Sequence, residues 1–191
     1  RQMCIRDRLV PDIEGLGPVP WLTSDTIFDL EEKPDHLVIL GGGPIGLEMA
    51  QAHARLGCRV TVIEAGRIAG REDPELADGL RRVLLRDGVA LHEGARLNRV
   101  QPDRPGLTAI LEDGTRIVGS HLLLAVGRVP RLRGLDLRAG NVAETERGIA
   151  TDAGLRSVSN RRVWVAGDIA DPAGIGPRSF THVASQHAGV L

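Results

Sequence analysis

The residues best placed to do chemistry are three glycines. Gly41, Gly43 and Gly46 make the pattern GxGxxG inside GGGPIGLE, directly after the apolar run His36–Leu40 and at the head of residues 44–56, whose apolar positions recur at helical spacing. Between a strand and a helix, this pattern is suited to holding a pyrophosphate. Gly41 permits the tight turn, Gly43 lets the backbone approach the phosphates, and Gly46 lets helix and strand pack closely. The helix start adds free N–H groups and a partial positive charge. Gly42, Pro44, Ile45 and Leu47 share the turn and join the candidate site. Glu64 stands 18 residues after Gly46, at the end of the β-branched run RVTVIE, and closes a βαβ unit. A carboxylate there accepts the hydroxyls of an adenosine ribose and repels a 2′-phosphate, so NAD(H) is expected over NADP(H). Arg67 and Arg71 lie near enough in sequence to blur that preference. Glu48, in the first helical turn, is either a ligand-facing acid or a solvated helix residue.

These residues need a frame, and the rest of the chain supplies one. PDIEGLGPVP, residues 11–20, reads as a linker leading in, and TSDTIFDL as a short helix. Asp73 is a plausible N-cap with Pro74 at the first helical position; Leu76, Leu80, Val83 and Leu84 make one apolar face, and Gly88 is the stop. Residues 89–91 can be the next strand. Residues 97–118 then alternate, with Asp113-Gly114 as a hairpin signal. An antiparallel meander is expected there, followed by a buried parallel strand over residues 121–126. Beyond Pro130 the texture loosens until RVWVA, residues 162–166, which reads as another buried strand ending in Gly167-Asp168. An Asp in that place can face a ligand or cap a helix.

Composition narrows the function. The 24 Lys+Arg against 25 Asp+Glu leave a net charge of −1, with no electrostatic footprint for nucleic acid or anionic lipid. Aromatic residues are only 2%, which leaves little to stack on bases. No apolar run reaches the ~20 residues a bilayer span needs. Two cysteines, Cys4 and Cys58, build no disulfide framework and no metal cluster, which fits a reducing, cytoplasmic setting. His121, His182 and His187 have no visible partner group and read as structural or ordinary helix residues.

GGGPIGLE, the acid of VTVIE, AVGRVP (residues 125–130) and VWVAGD (residues 163–168) occur in one order that resembles the pyridine nucleotide-disulfide oxidoreductases. GREDPELADGL, residues 70–80, is similar to the mercuric reductase and dihydrolipoamide dehydrogenase branches. The resemblance implies an α/β, Rossmann-like FAD/NAD(P)-binding fold with a parallel sheet and an antiparallel β-meander. It further implies an NAD(H)-binding domain over residues 11–127 and a returning partial FAD-binding domain over 128–191; residues 1–10, whose RQMCIRDR has no apolar period, read by themselves as a non-native leader. On this resemblance Gly41 through Glu48 cradle NAD, Glu64 takes the adenosine ribose, Val100 lies beside the adenine and Gly127 near the nicotinamide. Asp168 would bond the ribityl chain of FAD, and Phe180, Thr181, His182 and Val183 would begin a helix whose backbone amides face the flavin. Arg128 and Pro130 shape the crossover between domains.

The implied reaction is hydride transfer from NADH to FAD and onward to a disulfide or a thiol-bound metal. Disulfide reductases need paired cysteines, usually CxxxxC, and neither Cys4 nor Cys58 has such a neighbour. The chain is therefore expected to be an internal portion of a homodimeric parent, without the amino-terminal FAD half or the C-terminal dimerisation domain, and inactive alone. Two alternatives stay open: an NADH oxidase or ferredoxin reductase type without a redox disulfide, and a non-catalytic NAD-binding module.

Overall fold

The computed structural model describes residues 6–190. The described residues divide into two units, 8–127 and 128–190 together with 6 and 7. The short strand β1 (Arg6–Arg8) opens the described chain.

The larger unit is built on a five-stranded sheet. After Arg8 come β2 (Trp21–Thr23), a 3-10 turn over Thr26–Asp29, β3 (His36–Leu40), α1 (Pro44–Arg55), β4 (Arg59–Glu64), α2 (Pro74–Arg86) and β5 (Val89–Glu93). The meander β6 (Leu97–Asp103), β7 (Gly106–Leu111) and β8 (Arg116–Gly119) follows, and β9 (His121–Leu124) returns to the sheet. The sheet order is β2-β9-β3-β4-β5, and every pairing is parallel. Both faces are covered, which is why its strands are continuously apolar.

Alternation along the strands divides the core into two layers. Leu37, Ile39, Val60, Val62 and Leu123 face α1 and α2, packing on Leu47, Ala50 and Leu84. Val38, Ile63, Leu122 and Leu124 face the meander, where Val100, Leu107, Ala109, Leu111 and Ile117 meet them. Each such side chain contributes about 1.5–3 kcal/mol of burial. The lead-in residues 11–20 join this second layer: Leu16 and Val19 are buried in it, and Val100 N–H donates to Glu14 O at 2.9 Å. The ends of the unit also meet, since Leu9 N–H donates to Gly127 O at 3.0 Å.

In α2 the cap is as the sequence suggests, with Asp73 accepting from Glu75 N–H at 2.9 Å. The buried face differs: Ala77, Leu80 and Leu84 turn inward while Leu76 is 71% exposed. A narrow stripe of i, i+3, i+7 positions suffices on a sheet, and small Ala77 permits close approach.

The second unit holds β10 (Arg128–Pro130), β11 (Glu144–Thr145), β12 (Gly148–Thr151), β13 (Ala170–Pro172) and α3 (Thr181–Val190). Here β12 pairs antiparallel with β11 and parallel with β13, and β10 pairs with β1. Residues 6–8, within the stretch read from sequence as a non-native leader, thus contribute a strand. The run RVWVA is not a strand. Its ladder is confined to residues 155–157, through Ser157 N–H to Val163 O (2.8 Å), Val165 N–H to Leu155 O (2.9 Å) and a bridge between Arg156 and Trp164. A strand requires a neighbour along its length, and among the described residues none flanks this run further. The strand beside β12 comes instead from Ala170–Pro172, after a 3-10 turn over Gly167–Ile169 that contains Asp168. Among the described residues no helix is long and apolar enough to cross a membrane.

Candidate functional site

The site in the larger unit lies at the carboxyl ends of β3, β4 and β9, the edge at which open parallel sheets take ligands. Gly41 N–H donates to Ile63 O at 2.9 Å and Ala125 N–H to Leu40 O at 2.8 Å, so three strand ends converge on the glycine turn. The glycines have different reasons to be there. A Cβ on Gly41, whose φ is +113°, would lie 2.5 Å from Ala125 O, and one on Gly46 would lie 2.1 Å from Gly41 O. A Cβ on Gly43 would meet nothing within 4 Å. Space therefore stands open over Gly43, at the head of a helix that begins with Pro44 and has no side-chain cap. Uncapped first-turn N–H groups beside open space suit an anionic phosphate. The donor set fits the pyrophosphate of a dinucleotide.

Gly42 and Glu64 are engaged with each other. Gly42 N–H donates to Glu64 Oε2 at 2.6 Å, and Gly66 N–H to Glu64 Oε1 at 2.8 Å. Each carboxylate oxygen has a second lone pair, so Glu64 can still accept ribose hydroxyls while it braces the turn. Glu48 is exposed, and Ile45 is half-buried. Leu47 is buried at 5% in the core and its N–H donates to Gly43 O at 3.0 Å, so it supports the turn rather than facing a ligand. Val100 differs from expectation more strongly. Its side chain is 2% exposed in the meander layer, because the lead-in residues cover it, and it has no surface to present to an adenine. Gly127 follows β9 with φ +127° and open space at its Cβ position.

Two residues that sequence reasoning missed brace this edge. Glu93 ends β5 and stands in register with Glu64. Two carboxylates side by side would repel, and Arg81 of α2 removes the conflict: its Nε donates to Glu93 Oε2 at 2.7 Å and its Nη2 to Glu93 Oε1 at 2.8 Å. Ile68 N–H donates to the same Oε1 at 2.8 Å. A signal existed, since VTVIEAG and VALHEGA both end a strand in Glu with Gly one or two residues later.

Arg81's hydrogen bonds hold the Glu93 carboxyl below its ordinary range, with the Ile68 N–H acting in the same direction and partial burial opposing. A carboxyl lowered on folding adds stability above its unfolded value, 4.5, and loses it as pH falls through the lower folded value. Glu93→Gln is expected to be less stable than the parent at pH 7 and to lose less stability on acidification to about pH 3.5. Urea midpoints at both pH values measure this; parallel losses would contradict it.

In the second unit, Asp168 is half-buried and has no hydrogen-bond or ion-pair partner among the described residues. Thr181, His182 and Val183 open α3, and Phe180 precedes it, 60% exposed, its ring stacked on His182 at 5.4 Å. His187, read from sequence as an ordinary helix residue, ties α3 to the Asp168 turn: Gly167 N–H donates to its Nδ1 at 3.2 Å. A carboxylate without a partner on a turn packed against α3 fits a hydroxyl-rich ligand such as the ribityl chain of FAD. Cys58 is buried and burial pushes its thiol up, which makes it unreactive. No group of three or more His, Cys, Asp or Glu among the described residues could hold a metal ion.

The family model described as "Pyridine nucleotide-disulphide oxidoreductase" matches residues 7–188. The chain belongs to that family. Within it, the chain is similar to the mercuric reductase of Streptomyces lividans, 41% identical over 185 residues that are 95% of this chain and 38% of the relative. It is also similar to the dihydrolipoyl dehydrogenase of Bacillus subtilis, 37% identical over 174 residues, 89% of this chain and 36% of the relative. Among solved structures, the Cu(II) complex of the HOCl-induced flavoprotein disulfide reductase RclA from Escherichia coli superimposes with a TM-score of 0.87. That match is 28% identical and covers 97% of this chain and 42% of the other. This member of the family thus spans less than half the length of the curated relatives it matches, and its fold is the Rossmann-like FAD/NAD(P)-binding α/β type with a parallel sheet.

Proposed function

We propose that these residues are the pyridine-nucleotide-binding portion, with part of the flavin-binding portion, of an FAD-dependent NAD(P)H oxidoreductase of the disulfide-reductase type. One observation carries the reading: the glycine turn leaves open space only where a phosphate must approach, over Gly43, and sets Glu64 against that turn. In this reading Gly41–Leu47 form the turn that holds the pyrophosphate, with the N–H groups at the head of the helix as donors while those of Gly41 and Gly42 brace the turn itself, Glu64 accepts the adenosine ribose hydroxyls, and Glu48 and Gly127 lie toward the nicotinamide. Asp168 and the amides of Phe180–Val183 would hold FAD, which when bound supplies the hydride-accepting ring. The protein's part is to bind and orient. Similarity to mercuric reductases favours a disulfide or a thiol-bound metal as the final acceptor, and the redox cysteines would be supplied by the parent outside these residues. The parent would act as a homodimer.

Isothermal calorimetry tests the reading. The chain is expected to bind NADH at one saturable site and NADPH more weakly; a folded sample that binds neither refutes it. Glu64→Ala is expected to bring the two affinities together, because it removes both a ribose acceptor and the charge that repels a 2′-phosphate. An unchanged ratio would take Glu64 out of the site.

A further inference from the structure

The loop between β4 and α2 carries the cations that sequence reasoning set against Glu64, and it is fastened at several points. Gly66 N–H rests on Glu64, Ile68 N–H on Glu93, Ala69 N–H on Gly42 O at 2.8 Å, and Gly94 N–H on Gly66 O at 2.8 Å. Ala69 is held in the left-handed region at φ +48°, a conformation that persists in a non-glycine residue only where its surroundings enforce it. The pose of Arg67 on this loop is therefore defined by more than its own side chain.

Arg67 does not lie free beside Glu64. Its Nη2 donates to Asp78 Oδ1 of α2 at 3.0 Å, and Asp78 also pairs with Arg81 one turn on, which in turn holds Glu93. The four groups alternate in sign, Arg67, Asp78, Arg81, Glu93, and together are neutral. Glu64 is left as an acid with no ion-pair partner among the described residues. At the carboxyl edge of a nucleotide-binding sheet, an arginine near the second strand is the group that accommodates a 2′-phosphate, while the strand-end acid selects against one. Here the acid is presented and the nearer arginine is drawn onto a helix.

We propose that Asp78 is a specificity-determining residue: by pairing with Arg67 it withdraws the guanidinium from the ribose 2′ position and keeps the site selective for the coenzyme without a 2′-phosphate. The proposal rests on the reading of the Glu64 turn as a pyridine-nucleotide site. The Arg67–Asp78 pair is half exposed, with side chains 58% and 45% accessible, so it is weak by itself. Its effect on specificity comes from position, because release of Arg67 makes a charge-assisted bond to phosphate available.

The test measures NADH and NADPH dissociation constants calorimetrically for the parent chain, Arg67→Ala, Asp78→Asn and the double variant, each checked for fold by circular dichroism. Asp78→Asn is expected to strengthen NADPH binding by about three- to tenfold with NADH affinity held within about twofold. The gain should vanish in the double variant, and Arg67→Ala alone should leave both affinities within about twofold, since its guanidinium is already engaged elsewhere. If the parent binds NADH but Asp78→Asn leaves NADPH affinity unchanged, the proposal fails while the coenzyme site stands. A gain that survives in the double variant overturns it as well, by tracing the effect to the lost negative charge rather than to Arg67. Loss of NADPH affinity in Arg67→Ala alone overturns it independently of how Asp78→Asn folds. A parent chain that binds neither coenzyme removes the underlying site and the proposal with it.

Discussion

Gly43→Val is expected to abolish measurable NADH binding, a loss of at least about a hundredfold or ~2.8 kcal/mol, in a protein that still folds. The backbone at Gly43 has φ −82° and ψ 178°, an extended conformation open to any residue, and its Cβ direction is empty. The folded state meets only the poorer capping of Val, about 1 kcal/mol. The ligand meets a branched side chain where its phosphate must come within hydrogen-bonding distance of the helix start. Gly46→Ala should do the reverse. Its methyl would lie 2.1 Å from a backbone oxygen of the same turn, so the molecule loses several kcal/mol of stability before any ligand is present. Calorimetry and thermal melting, run on both variants, separate the two effects. A Gly43→Val protein that binds NADH normally would show that the phosphates lie elsewhere.

Gly148→Ala carries the second large expectation, and it concerns only the smaller unit. Gly148 opens β12 with φ +154°, and a Cβ there would lie 2.2 Å from Ile169 O, the carbonyl at the end of the Asp168 turn. Strained backbone and overlap together should cost about 3 kcal/mol or more. Amide exchange is expected to accelerate in Gly148–Thr151 and at Ala170 and Asp171 while His36–Leu40 and Arg59–Glu64 keep their protection, and NADH affinity should not change. Uniform acceleration across both units would contradict this. Asp171 adds to the local stake: it is buried, paired with Arg147 at 2.9 Å and bonded by Thr145 Oγ1 at 2.8 Å, and both partners flank the hairpin that Gly148 closes.

These expectations rest on features that were unequally visible in the sequence. β3, α1, β4 and α2 were legible almost to the residue because each is a strong periodic run ended by glycine, proline or a capping acid. Those signals are local, and the chain obeys them. RVWVA was misread because an apolar β-branched run states only that burial is available, whereas a ladder needs a second strand that no local signal supplies. Val100 was misplaced for a related reason: whether a strand residue faces ligand or core depends on what covers it, and the cover here is the proline- and glycine-rich lead-in. Glu93, Arg81 and Asp78 are 12 to 15 positions apart at their widest, on α2 and β5, and only packing brings them to one edge. His187 is recognisable as more than a helix residue only once Gly167 lies beside it.

The hydrogen bond from Leu9 to Gly127 joins the first and last turns of a 120-residue excursion, Arg8–Gly127. Seen from the chain on either side, the whole larger unit is a detour that returns to its starting point, at 3.0 Å between donor and acceptor. Closing a flexible loop costs entropy that grows with its length, but a folded detour with clasped ends costs its host about what a tight turn does. Such a unit can be gained, exchanged or lost in evolution without forcing the chain on its two sides apart.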